Sequence, residues 1–212
     1  EPDQGISDAF NKGIKYSMGD VVMMLNSGDI LLDRSYPEKA LKILSENLDL
    51  DFVHADELYD DILIGEFVMK PLRIQDNLTP NIGRGMPYRH QTMVVRRIVY
   101  DKVGSFDLKY VTSDYDWTCR WELSLRDTGR SAYYFHGKPV IKMDGRGVSA
   151  TQEWKVMLEA VRIVRTHFPK NIEIKFSLFK RFILFVGREL LKWLQMVNIL
   201  SQLKRQKYQN DV

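Results

Sequence analysis

The feature that most constrains this sequence is an amphipathic helical pattern that leads directly into a short, unbroken apolar run. Ser7 or Asp8 can accept hydrogen bonds from the first free amides of this helix. Its apolar side chains recur with helical spacing at Phe10 and Ile14. Residues 21–25 then read Val-Val-Met-Met-Leu, which predicts a strand covered on both faces. Because a helix followed by a buried strand is typical of α/β domains, we expect an α/β fold with a partly parallel sheet.

Further helices and strands follow along the 212 residues, a length that suits one domain with an appendage. The patterns predict helices at 37–48, 97–103, 114–125 and 153–167, and strands at 51–56, 62–69, 91–95 and 139–143. Asp60 and Asp61 are predicted as a hairpin turn. The polar stretch 71–89, punctuated by Pro and Gly, is predicted as a long functional loop.

The distribution of charge excludes some classes of partner. Residues 1–169 carry a net charge of −3 and residues 170–212 a net charge of +6. A uniformly basic nucleic-acid-binding protein would carry its positive charge on the folded body, so no nucleic-acid partner is expected. The single cysteine, Cys119, excludes a disulfide framework and a cysteine-rich zinc site, which favours a reducing compartment. The sequence contains no phosphate-binding loop, dinucleotide fingerprint or nucleophile elbow.

Two aspartates are candidate metal-binding or catalytic residues. Asp29 follows Asn26-Ser27-Gly28 at the C-terminal end of the predicted strand 21–25, the edge at which open α/β sheets bind ligands. A carboxylate there can hold a divalent cation, although an ordinary polar turn explains the pattern as well. Asp114 begins a predicted helix, where it can be an N-cap or a general base. Asp116, two residues on, cannot share its helix face and does not form a dyad with it.

Six segments, taken in order, carry a resemblance to a known family. They are residues 1–13 (EPDQGISDAFNKG), 22–29 (VMMLNSGD), 90–97 (HQTMVVRR), 103–107 (VGSFD), 113–117 (SDYDW) and 145–149 (GRGVS). The set resembles family 2 glycosyltransferases with the GT-A (Rossmann-like) fold, in the bacterial polysaccharide branch. The resemblance implies a partial GT-A catalytic domain at 1–152 and a C-terminal extension of amphipathic helices at 153–212. In such enzymes the nucleobase-binding portion precedes anything corresponding to Glu1, so we expect an N-terminally truncated chain that is weakly active or inactive alone.

Such enzymes transfer a sugar, with inversion, from a metal-bound nucleotide sugar to an acceptor hydroxyl. By resemblance Asp114 is the catalytic base, and Asp29 binds Mg or Mn. The implied donor-binding residues are Asp8, Asn11, Lys12, Ser27, Gly28 and Asp29, and the implied acceptor-binding residues are His90, Gln91, Asp116 and Trp117. The family often has Asp where this chain has Gly28, so metal binding would depend on Asp29 with water and diphosphate. The acceptor implied is a glycan or a lipid-linked sugar in cell-surface polysaccharide synthesis, and the loop 71–89 is expected to govern its choice.

The basic C-terminal part has two interpretations. Apolar side chains recur with helical spacing from Phe179 to Leu200, and cations are predicted on the opposite face, namely Lys180, Arg181, Arg188 and Lys192. The helix can pack on its own domain or on a second copy in a homo-oligomer. It can instead lie on an anionic membrane surface through residues 176–205. Charges interrupt every window long enough to cross a bilayer. Since acceptors in this branch are often lipid-linked, we expect a cytoplasmic protein peripheral to the inner face of the cell membrane.

Two other functions stay open. The first is a non-catalytic, transferase-derived binding module attached to a membrane. The presence of both Asp29 and Asp114 favours the enzyme over this alternative. The second, a metal-dependent phosphatase or nuclease, would need more clustered carboxylates than the sequence supplies.

Overall fold

The computed structural model describes residues 2–72, 81–125 and 130–209. Its helices are α1 (Ile6–Tyr16), α2 (Tyr36–Glu46), α3 (Asn81–Arg84), α4 (Arg97–Val103), α5 (Ser113–Leu125), α6 (Val148–Thr151), α7 (Glu153–His167), α8 (Ile172–Trp193) and α9 (Val197–Gln209). Its strands are β1 (Val21–Met23), β2 (Ile30–Leu31), β3 (Leu50–Ala55), β4 (Glu57–Asp61), β5 (Gly65–Met69), β6 (Val94–Arg96), β7 (Ser131–Phe135) and β8 (Ile141–Asp144). A 3₁₀ turn, His90–Thr92, precedes β6.

The described strands form two mixed four-stranded sheets, in the orders β1-β6-β3-β7 and β2-β8-β4-β5. The pairs β3/β7 and β4/β8 are parallel, and the others are antiparallel. Only Asp56 separates β3 from β4, so one continuous segment passes from the first sheet into the second. The predicted α/β class with a partly parallel sheet is confirmed.

Local patterns located several elements closely. The helix predicted at 97–103 is α4, and it ends at Gly104, whose φ of 90° lies in the left-handed region. The helix predicted at 153–167 is α7. Asn171 begins α8, because its side-chain oxygen accepts a hydrogen bond from the Ile174 amide at 2.9 Å.

Other predictions need correction. The predicted strand 21–25 is shorter, because β1 ends at Met23 and Leu25 is 49% exposed. Its two faces are covered as predicted, since Val22 and Met24 pack on one apolar cluster and Val21 and Met23 on another. Asp60 and Asp61 end β4 and are not the hairpin turn itself. The strand predicted from Gln91 begins only at Val94. At residue 92, where a strand was predicted, a side chain takes the role of a backbone partner. The Thr92 hydroxyl accepts a hydrogen bond from the Ala55 amide of β3 at 3.0 Å. In the predicted loop 71–89, residues 81–84 form a helix, and residues 73–80 lie outside the described residues.

An aromatic cluster fixes α5 across the first sheet. The rings of Phe52 on β3 and Trp121 on α5 are 4.5 Å apart, and Tyr88 packs on both. The opposite side of α5 packs on α7 and α8, where Tyr115 and Cys119 join one apolar cluster with residues of both helices. The helices after residue 152 therefore share a core with α5, and the domain boundary predicted there stays a prediction.

The cations of α8 do not form the predicted exposed face. Arg181 is partly buried and its guanidinium lies over the Tyr115 ring, 6.0 Å from the centroid. Arg188 and Lys192 both form ion pairs with Glu153 of α7. Three of the four cations expected to face lipid headgroups are therefore directed toward the protein. Within the described residues, no helix combines the length and the apolar character that a membrane crossing requires.

Candidate functional site

The candidate site lies where the turn after β1, the 3₁₀ turn and the first turn of α5 approach one another. His90 is 8% exposed, and its ring packs between Phe10 at 5.3 Å and Phe106 at 5.9 Å. Burial lowers the pKa of His90, and the negative charges of Asp114 and Asp29 partly oppose this effect. The two carboxylates predicted from sequence thus both act on one buried imidazole.

The turn that carries Asp29 is tightly built. The Asp29 amide donates to the Asn26 carbonyl at 3.1 Å, and Gly28 takes a φ of 94° that favours glycine. Asp29 Oδ1 accepts a hydrogen bond from the Asp144 amide at 3.2 Å, whereas the buried Oδ2 has no hydrogen-bond partner in the structure as described. Burial raises the pKa of Asp29, and the charge of Asp144 adds to this. An unsatisfied buried carboxylate oxygen is a group that a bound cation would stabilise.

The fit to a divalent metal is therefore limited to one carboxylate. Among residues 2–72, 81–125 and 130–209, no group of three His, Cys, Asp or Glu side chains is arranged to hold a metal ion. Asp29 Oδ2 offers one ligand atom, so the other positions around a cation would be filled by water and by an anionic ligand. The metal role of Asp29 therefore stays a prediction.

A carboxylate–arginine pair borders this turn and was missed in the sequence. Arg146 donates from Nε and Nη2 to the two oxygens of Asp144, at 2.8 and 2.9 Å, and these bonds lower the pKa of Asp144. Arg146 itself is exposed. A Cβ on Gly145 would lie 2.3 Å from the Asp60 carbonyl oxygen, so only glycine fits there. The Gly-Arg-Gly motif was visible in the sequence, but the contact between Asp144 and the Asp29 turn was not.

Glu57 is a second residue that sequence reasoning missed. It is 2% exposed, and burial raises its pKa to about 7, with the charge of Asp29 adding to the rise and that of Arg89 opposing it. Glu57 Oε1 lies 3.7 Å from Arg89 Nη1, and Glu57 Oε2 and Arg89 Nε have no hydrogen-bond partners within the described ranges. Only the crossing from β3 into β4 places this acid beside the Asp29 turn.

Asp114 lies in the first turn of α5 and is half-buried. Its Oδ1 accepts a hydrogen bond from the Tyr115 amide at 2.9 Å. The neighbouring Ser113 hydroxyl accepts a hydrogen bond from the Ser7 hydroxyl at 2.7 Å, which ties the start of α1 to the start of α5. The half-buried position leaves the carboxylate available to a ligand, as a general base requires.

The α1 residues predicted to bind a donor are engaged elsewhere. Lys12 Nζ lies 2.9 Å from Asp8 Oδ2 and 3.0 Å from Asp3 Oδ1, and hydrogen bonds to these two carboxylates raise the pKa of Lys12. The Asn11 amide group donates to the Phe106 carbonyl at 2.9 Å and accepts from the Phe106 amide at 2.8 Å. The structure thus shows a packing role for Asn11.

Replacing Asn11 with alanine is expected to lower the free energy of unfolding by about 1–3 kcal/mol, because two partly buried backbone groups lose their partners. Urea denaturation measures the effect. Asn47→Ala is the control, since Asn47 is exposed and makes one hydrogen bond to a helical carbonyl. Equal losses in the two variants would contradict the packing role.

Two of the residues predicted to bind the acceptor are buried and hydrogen-bonded within the protein. Asp116 is 4% exposed and binds His167 Nε2 at 2.8 Å and Arg120 Nε at 3.0 Å. Burial by itself would raise the pKa of Asp116, but these two partners lower it overall. Trp117 is 1% exposed, and its indole donates to the Gly104 carbonyl at 3.0 Å. Gln91 is buried as well, next to His90 in the 3₁₀ turn.

The chain is similar in sequence to glycosyltransferases. Two proteins named "PGL/p-HBAD biosynthesis glycosyltransferase", from Mycobacterium bovis (strain BCG / Pasteur 1173P2) and Mycobacterium tuberculosis (strain ATCC 25177 / H37Ra), are each 24% identical to it over 124 residues. The matched part covers 57% of this chain and 44% of each relative, so the chain spans less than half the length of the curated relatives it matches.

A solved structure also resembles this chain. It is described as the mannosyltransferase PcManGT from Pyrobaculum calidifontis in complex with GDP-Man and Mn2+. The TM-score is 0.48 at 13% identity, over 95% of this chain and 66% of that one. No protein-family model matches the chain.

Proposed function

We propose that this protein is a glycosyltransferase that transfers a sugar from a nucleotide-sugar donor to an acceptor hydroxyl with inversion. The observation that carries the proposal is the buried His90, on which Asp29 and Asp114 from two distant segments both act. Two carboxylates at one site match two needs of this reaction, one at the leaving diphosphate and one at the attacking hydroxyl. The glycosyltransferase relatives support the same class.

Asp29 would hold a divalent cation, Mg or Mn, through the oxygen that lacks a partner. When bound, such a cation neutralises the charge that develops on a leaving diphosphate. Ser27 and Gly28 form the turn against which the donor would lie, and Gly28 carries no side chain to block it. The exposed Arg146 is held beside the same turn by Asp144, which balances its charge and leaves its remaining N–H groups free to donate to an anionic ligand.

Asp114 is the proposed general base. It accepts the proton of the acceptor hydroxyl as that oxygen bonds to the anomeric carbon, and the bond from this carbon to the diphosphate breaks on the opposite side. One displacement of this kind inverts the anomeric centre. The low pKa of His90 keeps the imidazole neutral at pH 7, so it does not form an ion pair that would weaken the base.

The acceptor proposed is a glycan or a lipid-linked sugar, bound on the side of His90 and Gln91. The acceptor role of Asp116 and Trp117 stays a prediction, since both side chains are buried and hydrogen-bonded within the protein. The roles of Asp8, Asn11 and Lys12 toward a donor, and the cytoplasmic location, stay predictions.

A panel of UDP-, GDP- and dTDP-sugars, incubated with Mn and the full-length protein, tests the proposal. We expect one nucleotide class to be hydrolysed or transferred, and Asp29→Asn to raise the Mn concentration needed for half-maximal turnover. Asp101→Asn is the control, since this aspartate is exposed on α4. If no donor in the panel is bound or consumed, the non-catalytic binding module becomes the better description.

A further inference from the structure

Arg181 on α8 is a cation without a counter-ion among the described residues. Its guanidinium carbon lies over the ring of Tyr115, 6.0 Å from the centroid, and a Cβ on Gly85 would lie 3.8 Å from its Cζ and Nη1. The Nη1 atom is buried and has no hydrogen-bond partner within the described ranges. Burial lowers the pKa of Arg181, so this position disfavours the charged form of the side chain.

The acids that pair with cations of α8 hold two other side chains. Glu153 of α7 and Glu189 of α8 each form ion pairs with Arg188 and Lys192. The positive charge of Arg188 lowers the pKa of Arg181 further, because two nearby cations repel each other. The charge of Arg181 is therefore not balanced by the acids that balance its neighbours on the helix.

Tyr115 does not balance this charge either. Its hydroxyl donates to the Ile82 carbonyl, and burial raises its pKa, so the phenol is neutral at pH 7. The face of the ring attracts the guanidinium but supplies no hydrogen-bond acceptor in the plane of its N–H groups. A buried charge that the protein leaves unpaired is costly, and an anionic ligand would remove this cost.

Arg181 lies between two chain segments that lead into the candidate site. The segment after Gly85 reaches His90, which is proposed to lie on the acceptor side. On α5, the residue that Arg181 contacts directly follows Asp114, the proposed base. Among the described residues, Asp29 shifts the pKa of His90 but not that of Arg181. These contacts favour a position beside the acceptor over one at the turn proposed to hold the donor.

We propose that Arg181 binds a phosphate or carboxylate group of the acceptor substrate. This inference rests on the proposed function and names the chemistry of its acceptor. A guanidinium presents its N–H groups as a planar fork that matches two oxygens of either anion. Arg181 is half-buried, so a ligand can reach part of the side chain while little water competes for it. An acceptor that carries negative charge is therefore preferred over a neutral one.

Anion binding in the absence of a donor tests this assignment. The probes are inorganic phosphate, glucuronate and uncharged glucose, and thermal unfolding at increasing probe concentration gives the affinity of each. A metal-free buffer keeps the Asp29 turn from contributing. We expect at least one of the two anions, but not glucose, to stabilise the wild type. Arg181→Met should weaken anion affinity by about 10–100-fold, the usual effect of losing hydrogen bonds to a charged group.

The matched control is the preceding residue on the same helix. Lys180→Met removes the same charge, but Lys180 is exposed and its ammonium lies over the Phe176 ring, 4.5 Å from the centroid. This variant should keep the anion affinity of the wild type. Equal losses of affinity in the two variants would show a general effect of net charge and would overturn the proposal.

Stability without any anion separates ligand binding from a structural role. Methionine fills much of the same space and removes the unpaired charge, so Arg181→Met should then be at least as stable as the wild type. If Arg181 serves only to pack on Tyr115, the variant should be less stable with and without anions, and the proposal would be wrong. A wild type that neither anion stabilises would contradict it as well.

Two comparisons identify the source of the anion. Stabilisation by phosphate alone indicates a phosphorylated acceptor, and stabilisation by glucuronate alone indicates a uronic acid. Titration with UDP and GDP in the presence of Mn reports on the donor side, where Arg181→Met should bind like the wild type. Weaker nucleotide binding by this variant would assign Arg181 to the donor and overturn the proposal. Since none of these measurements needs turnover, their failure is distinct from a failure of the donor panel.

Discussion

Replacing Asp114 with asparagine is expected to lower the rate of sugar transfer by about 10²–10⁴-fold, the usual contribution of a general base. The amide of asparagine preserves the size of the side chain and can still accept a hydrogen bond from the Tyr115 amide, as Asp114 does. It cannot take a proton from the acceptor hydroxyl. Donor affinity should be unchanged, because the donor is proposed to bind at the Asp29 turn. Initial rates of transfer and donor titration by calorimetry measure the two quantities.

The control for this experiment lies two residues away. Asp116 is buried and binds Arg120 and His167, so Asp116→Asn should lower the thermal midpoint and leave transfer below that midpoint nearly unchanged. Unaltered transfer in Asp114→Asn would remove the base from the mechanism. Equal losses of transfer in both variants would show that the start of α5 is needed only for structure.

Replacing Glu57 with glutamine is expected to make the protein more stable than the wild type at pH 8 but not near pH 4. The folded-state pKa of Glu57 is about 7, above its ordinary value of 4.5, so the folded protein holds this proton more tightly than the unfolded chain does. The corresponding stability is fully present below pH 4.5 and is lost as the pH rises through 7. At 1.36 kcal/mol per pKa unit, the loss is about 3 kcal/mol.

Urea denaturation at several pH values measures this change. The difference in unfolding free energy, variant minus wild type, should rise by about 3 kcal/mol between pH 4 and pH 8. Glu46→Gln is the control, because Glu46 lies on the exposed end of α2, with a side chain that is 60% exposed. A difference for Glu57→Gln that does not vary with pH would mean that the Glu57 carboxyl is not desolvated as the structure indicates.

Elements with complete local patterns could be predicted from the sequence. Helix α7 has an apolar stripe along its whole length, and α4 is followed by a glycine that ends it. Strand β7 was missed because only Tyr134 within it is buried, so the alternating pattern of a half-buried strand is absent. The 3₁₀ turn overlaps the predicted strand 91–95 for a different reason, because the Thr92 hydroxyl accepts the hydrogen bond from the Ala55 amide that a strand backbone would otherwise accept.

The residues of the candidate site also fall into two groups, those found from the sequence and those found only in the structure. Asp29 and Asp114 were found because each follows or begins an element and is preceded by small polar residues, a pattern confined to a few neighbouring positions. Glu57 and Asp144 were not found, because their importance comes from contacts with the Asp29 turn across distances of 28 and 115 residues in the sequence.

The sequence by itself determined the α/β class, most of the helices and the two aspartates of the candidate site. These features follow from helical or alternating periodicity and from residues at the ends of elements, which are local properties. Only the tertiary structure decided that Asp29 and Asp114 approach the same histidine, that Glu57 is buried beside them and that three cations of α8 face the protein. Burial and charge pairing depend on which segments meet in the folded chain, and this cannot be read from the spacing of residues within one segment.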